Sequence, residues 1–175
     1  MDEEKRRKTG IGIFSAKDYL IYKLTGSLVT DCVTGATTGM MNIQSRNWHP
    51  GLLESIECAE FSLPALLEPN ELAGYMNEEN SGFKDQTPVL CGAGDAGAST
   101  LGARAVCEGD SYFYIGTTGW TAVLTKKNTP SSPGVFTLAH VIKGMNISIA
   151  PLLNVGNVYE WTKKIFLNNG SYKGV

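Results

Sequence analysis

Between positions 87 and 125 the chain alternates short apolar runs with glycine turns, and this alternation restricts the fold more than any other feature. Thr87-Pro88-Val89-Leu90-Cys91 has the composition of a short buried strand, Gly92-Ala93-Gly94-Asp95 that of a tight turn, and Ala96 to Val106 that of a small-residue helix. Ser111 to Ile115 predicts another strand, Gly116-Thr117-Thr118-Gly119 a turn, and Trp120 to Thr125 a returning strand, together a β-hairpin. Twenty glycines in 175 residues exceed the average share of about 7%. The surplus gathers here, at Gly92, Gly94, Gly97, Gly102, Gly109, Gly116 and Gly119. Such clusters belong where backbone must approach something closely.

The flanking segments are more ordinary. Ser15-Ala16-Lys17-Asp18 resembles a capping box, Leu20, Ile21 and Leu24 can share a face, and Gly26 can stop the helix, so residues 15–25 are predicted helical. Residues 27–43 are rich in Thr, Val and Gly and predict short extended segments, clearest at Met40 to Ile43. A helix follows Pro50, on the spacing of Leu52, Leu53 and Ile56, and Leu63-Pro64 and Pro69-Asn70 break the pattern. Trp48 and His49 read as packing residues. Lys126 to Gly134 is linker-like, and strands at Val135 to Ile142 and Met145 to Ile149 flank a Lys-Gly turn. About Asn154 to Leu167 an amphipathic helix sets Val155, Val158, Tyr159, Thr162, Ile165 and Phe166 against Asn157, Glu160, Lys163 and Lys164.

Composition excludes several classes. Fifteen Lys and Arg against seventeen Asp and Glu give a formal charge of −2, which argues against a nucleic-acid partner. No apolar run reaches membrane-spanning length, and the opening MDEEKRRK precedes no secretory h-region, so a cytoplasmic protein without membrane contact is expected. Cys32, Cys58, Cys91 and Cys107 follow no metal spacing and two histidines complete no zinc cage, so reduced thiols and no metal site are expected. The Asn146-Ile147-Ser148 and Asn169-Gly170-Ser171 matches carry no meaning without export.

Gly92-x-Gly94-x-x-Gly97 between a strand and a helix fits a dinucleotide fingerprint. Two features oppose it. Asp95 stands where a pyrophosphate would sit, and Phe113 to Gly116 occupy the place of the expected acidic residue. A carboxylate at the first turn of a glycine-rich helix suits a different task, orienting or deprotonating an alcohol during phosphoryl transfer. The same Asp95 could equally be an ordinary N-cap. The Gly116–Gly119 tip can offer amides and two hydroxyls to phosphate oxygens, or be a plain turn.

Taken together, these segments resemble the FGGY carbohydrate kinases, from about Lys17 to Trp161. Lys17 to Asp31 (KDYLIYKLTGSLVTD) resembles the family's helix and L-T-G-x-x-x-T-D exit, and Trp48 and Leu63-Pro64 fall where the family has a tryptophan and a Leu-Pro. Thr87 to Ala98 resembles the end of the first lobe, whose G-D aspartate is the catalytic base, a role that carries to Asp95. Tyr114 to Trp120 (YIGTTGW) is similar to the hairpin that touches the ATP phosphates, which carries to Gly116, Thr117 and Thr118. Val155 to Trp161 (VGNVYEW) resembles a helix start at which Gly156 and Glu160 would contact nucleotide, and Trp120 would line the sugar pocket.

The resemblance implies an α/β, actin-like, ribonuclease-H-like fragment spanning the junction of two lobes, with residues 1–110 ending the sugar-binding lobe and 111–175 opening the nucleotide-binding lobe. It implies ATP and Mg²⁺ as cofactors and a small sugar as substrate, a ketopentose such as xylulose first and gluconate or glycerol next. Ala96 departs from the family's Asn or Gln after the base, which leaves the sugar open. Such kinases approach 500 residues, so the isolated chain is expected to turn over poorly. Its apolar faces are expected to be exposed or paired with another copy. A non-catalytic interaction module built on the same hairpin is the alternative of a different class.

Overall fold

Ser15 caps the first helix, α1 (Ala16–Thr25), by accepting the Asp18 amide, and Gly26 ends it at φ 75. Its packing side differs from the predicted one. Ile21 is buried with Asp18, whereas Leu20 is 57% exposed. The computed structural model describes residues 10–58, 61–76, 84, 86–127 and 132–166. The charged run at 1–8, positions 128–131 of the linker-like segment, Leu167 and the Asn169–Ser171 match lie outside the described residues.

Strand β1 (Val29–Asp31) is buried along its length and pairs in parallel with β4 (Ala65–Leu67). Directly after β1 the extended chain expected at 27–43 is interrupted by a helix, α2 (Cys32–Thr37). Its Thr and Val content favours strand, but the Asp31 carboxylate caps it, accepting the amides of Val33 and Thr34. The Met40–Ile43 strand contracts to β2 (Met41–Asn42), which forms a hairpin with β3 (Asn47–Trp48). His49 then caps α3 (Pro50–Ser55) through its ring, and Trp48 donates its indole N–H to the Pro64 carbonyl at 2.8 Å.

β5 (Leu72–Tyr75) pairs antiparallel with β6 (Pro88–Leu90), which leads through the glycine turn into α4 (Asp95–Gly102). This helix stops short of the predicted Val106, because Arg104 takes φ 60 and the Ala105 amide closes onto the Thr100 carbonyl. The predicted hairpin forms as β7 (Ser111–Ile115) and β8 (Gly119–Thr125), joined by β9 (Phe136–Ala139) and β10 (Asn146–Leu152) in the order β7-β8-β10-β9. β6 pairs antiparallel with β5, and β7, the strand that follows α4, lies in a different sheet, so no parallel βαβ unit surrounds the glycine turn among the described residues, which removes the dinucleotide-fold reading of Gly92, Gly94 and Gly97. α5 (Gly156–Phe166) closes the described chain.

Apolar packing crosses residue 110. Cys32, Ala36 and Met41 share one buried cluster with Ala139, and Ala96 packs against Ala122, Ile147 and Ile149. Arg46 adds polar links, pairing with Glu68 at 2.6 Å and donating to the carbonyls of His140 and Ile142. By contrast, Phe113 is 74% and Leu153 80% exposed, and no residue of α5 is buried. The amphipathic helix therefore forms with its apolar face uncovered. Among the described residues no helix is long and apolar enough to cross a membrane.

Candidate functional site

The turn between β6 and α4 is tied at its first residues. The Cys91 amide donates to the Glu71 carbonyl and the Gly92 amide to the Pro69 carbonyl, both at 2.9 Å, and Gly92 takes φ 67. Gly94 is the N-cap of α4 and Asp95 its first helical residue. Asp95 is thus not the cap that its position alone allowed. Among the described residues its carboxylate accepts only from the neighbouring Ala96 amide, at 2.8 Å, and the residue is exposed. α4 lies so close to its neighbours that a Cβ on Gly94 would sit 2.8 Å from Thr34 Oγ1, and one on Gly97 would sit 2.7 Å from both Val33 and Val141.

A buried polar cluster lies under this turn. Lys17 Nζ donates to the Cys91 carbonyl and to Asp18 Oδ1 at 2.9 Å, and stands 3.2 Å from Asp31 Oδ2. Asp18 also accepts from Thr30 Oγ1 at 2.9 Å, and Asp31 from Thr34 Oγ1 at 2.6 Å. Burial works against the Lys17 charge, but the Asp18 hydrogen bond and the surrounding negative charges outweigh it and lift the amine above its ordinary range. Burial pushes the Cys32 and Cys91 thiols up to about 11, which disfavours the thiolate at neutral pH. All four cysteines are free.

A second chain of hydrogen bonds joins α4 to the hairpin. Thr100 donates to the Ala96 carbonyl at 2.7 Å and shares a 2.8 Å bond with the Tyr112 hydroxyl, which accepts the Trp120 indole N–H at 3.1 Å. Trp120 stacks on Tyr114 with centroids 3.8 Å apart. Its N–H and one face are therefore occupied.

The hairpin tip is anchored from the far end of the chain. The Gly156 amide donates to the Gly116 carbonyl at 3.0 Å and the Val155 amide to the Thr117 carbonyl at 3.1 Å. Gly119 is buried against Val155, while Thr117 and Thr118 remain exposed. Two motifs forty residues apart in the sequence thus meet at the start of α5. Glu160 lies one turn further along that helix and is exposed.

Of the residues singled out from sequence, Gly116, Thr117, Thr118 and Gly156 converge, and Ala96, the residue after Asp95, is linked to Trp120 through Thr100 and Tyr112. Lys17, Thr30, Asp31, Thr34 and Tyr112 were not singled out for the site. For Asp31 a signal existed, a cap-type residue ahead of a run of small ones. For Lys17 none did, because its partner carbonyl is 74 positions away.

Residues 2–102 match the N-terminal domain of the FGGY family of carbohydrate kinases. The autoinducer-2 kinase of Klebsiella pneumoniae is 30% identical over 154 residues, covering 85% of this chain and 29% of that protein. The ligand-bound xylulose kinase of Lactobacillus acidophilus superposes with a TM-score of 0.82 at 26% identity, covering 92% of this chain and 33% of that one. The gluconate kinase of the same organism gives 0.77 at 27% identity, over 84% of this chain and 30% of that one. The chain therefore spans about a third of the length of these relatives. Its mixed α/β structure is a part of the actin-like fold of these sugar kinases. With more than half of its length matched by the family's N-terminal domain, the chain belongs to the FGGY family of carbohydrate kinases.

Proposed function

We propose that the chain carries the base and the phosphate-holding hairpin of an ATP-dependent kinase acting on a hydroxyl of a small sugar. In this reading residues 1–110 end the sugar-binding lobe and 111–175 open the nucleotide-binding lobe. Asp95 carries the reading: its carboxylate is exposed on a turn held by Lys17, Pro69 and Glu71, in a chain of sugar-kinase fold. Phosphoryl transfer depends on positioning and charge, and a fixed, uncovered carboxylate is suited to take the sugar hydroxyl proton.

The fit to ATP rests on the tip. Thr117 and Thr118 are exposed, so their hydroxyls could reach the β- and γ-phosphates, and the tip is anchored by the Val155 and Gly156 amides. Glu160 would contact the nucleotide beyond them. Mg²⁺, when bound, neutralises phosphate charge. That ion would meet the chain chiefly through phosphate oxygens and water.

Relatives named for autoinducer-2, xylulose and gluconate keep several sugars open, and a ketopentose such as xylulose is our first choice. Trp120 would line that sugar. The uncovered faces of β7 and α5 favour one second reading, a non-catalytic module that meets another polypeptide. The test is a chimera in which residues 10–166 replace the matching segment of a xylulose kinase. Sugar-dependent ADP release that falls at least about 10²-fold with Asp95→Asn supports the kinase reading. Equal rates with Asp and Asn would overturn it.

A further inference from the structure

The charged cluster under the Asp95 turn is costly to bury. Asp18 and Asp31 are 2% and 0% exposed at their side chains, and one cation, Lys17, serves both. Apolar residues of similar volume would often hold a fold as well. The cluster can do one thing that apolar packing cannot: define the position of a single backbone oxygen.

That oxygen is the Cys91 carbonyl, the last acceptor before Gly92 turns the chain at φ 67. The Cys91 and Gly92 amides are bound on their other side by Glu71 and Pro69. Lys17 completes the attachment through Nζ, and its Cδ would lie 3.6 Å from a Cβ at Gly92. Each participant is itself fixed: Asp18 by Thr30, and Asp31 by two α2 amides and Thr34. Thr34 in turn is the side chain against which Gly94 rests. Three separate segments, the start of α1, the β1–α2 junction and the β6–α4 turn, therefore meet around one ammonium group.

We propose that Lys17 is a positioning residue for Asp95. By holding the Cys91 carbonyl it fixes the entry of the Gly92–Gly94 turn, and with it the direction in which α4 presents the Asp95 carboxylate. This rests on reading Asp95 as the base, but the positioning itself is measurable without turnover.

The experiment is amide NMR with hydrogen exchange on the ligand-free 175-residue chain, each variant held well below its own melting point. Lys17→Met keeps the stem and removes the charge and donors. It is expected to shift the resonances of residues 92–96 and speed their exchange about tenfold, with β8 and β10 unchanged. Lys17→Arg, which restores charge and donors, is expected to return residues 92–96 toward the native spectrum. Residues 92–96 unmoved in Lys17→Met, or a change spread evenly over the chain and not rescued by Arg, would overturn the proposal. Should Lys17→Met fail to fold, Lys17→Gln compared with Lys17→Arg reads the same amides with the same two outcomes. Because no ATP or sugar is present, a failure here leaves the kinase reading standing, and a failed kinase assay leaves this result standing.

Discussion

Gly156 donates its amide to the Gly116 carbonyl at 3.0 Å, and the same approach leaves no space for a Cβ. Gly156→Ala must displace backbone at the tip, so it is expected to destabilise the chain by about 1–3 kcal/mol. Gly102→Ala is the control: nothing lies within 4 Å of its added Cβ, and a helical alanine should be neutral or stabilising by up to about 1 kcal/mol. Urea midpoints of the two variants check both directions.

Two aspartates should behave oppositely. Asp95 is exposed and accepts from the adjacent Ala96 amide, so Asp95→Asn is expected to leave stability within about 0.5 kcal/mol. Asp31 is fully buried, caps α2 and stands beside Lys17, so Asp31→Ala is expected to cost about 3–5 kcal/mol. Equilibrium unfolding of the two variants checks both expectations.

Thiol reactivity should follow burial. Cys107 is exposed and should be alkylated first, while Cys32 and Cys91, buried and pushed up to about 11, should react only as the chain opens. Timed iodoacetamide labelling read by peptide mass spectrometry checks the order.

His140 makes stability depend on pH. Burial pulls its imidazole below the ordinary 6.5, the Arg46 charge acts in the same direction, and the Ala105 carbonyl opposes them. The unfolded chain therefore takes up a proton that the folded chain refuses. Stability from this group is complete above 6.5 and is lost as pH falls from there toward the lower folded value. The urea midpoint should drop between about pH 7.5 and about pH 5.5, and less so in His140→Gln.

The local parts of this molecule were legible and the long-range parts were not. Gly26, the Gly92–Asp95 turn and the Gly116–Gly119 tip announce themselves because turns and caps depend on neighbours in sequence. α2 was hidden because its Thr and Val content argues for strand and outweighs the local signal of the Asp31 cap. Leu20 was misplaced because a helix reads as amphipathic from spacing alone, whereas here Asp18 takes a buried position to meet Lys17 and Thr30. The site was half legible for the same reason. Asp95, Thr117 and Thr118 sit in recognisable turns, but Lys17 and Tyr112 matter through partners that no local pattern indicates.

The central claim is that the Gly116–Gly119 tip, held by Gly156, receives the phosphates of ATP. Its most direct test is the melting temperature of the 175-residue chain with and without Mg-ATP, in the native protein and in a Thr117→Val, Thr118→Val double variant. The account predicts a rise on adding Mg-ATP to the native chain, about 2.7 kcal/mol of added stability at a hundredfold excess over Kd, and its loss in the variant. No rise in the native chain, or an equal rise in both, would contradict it.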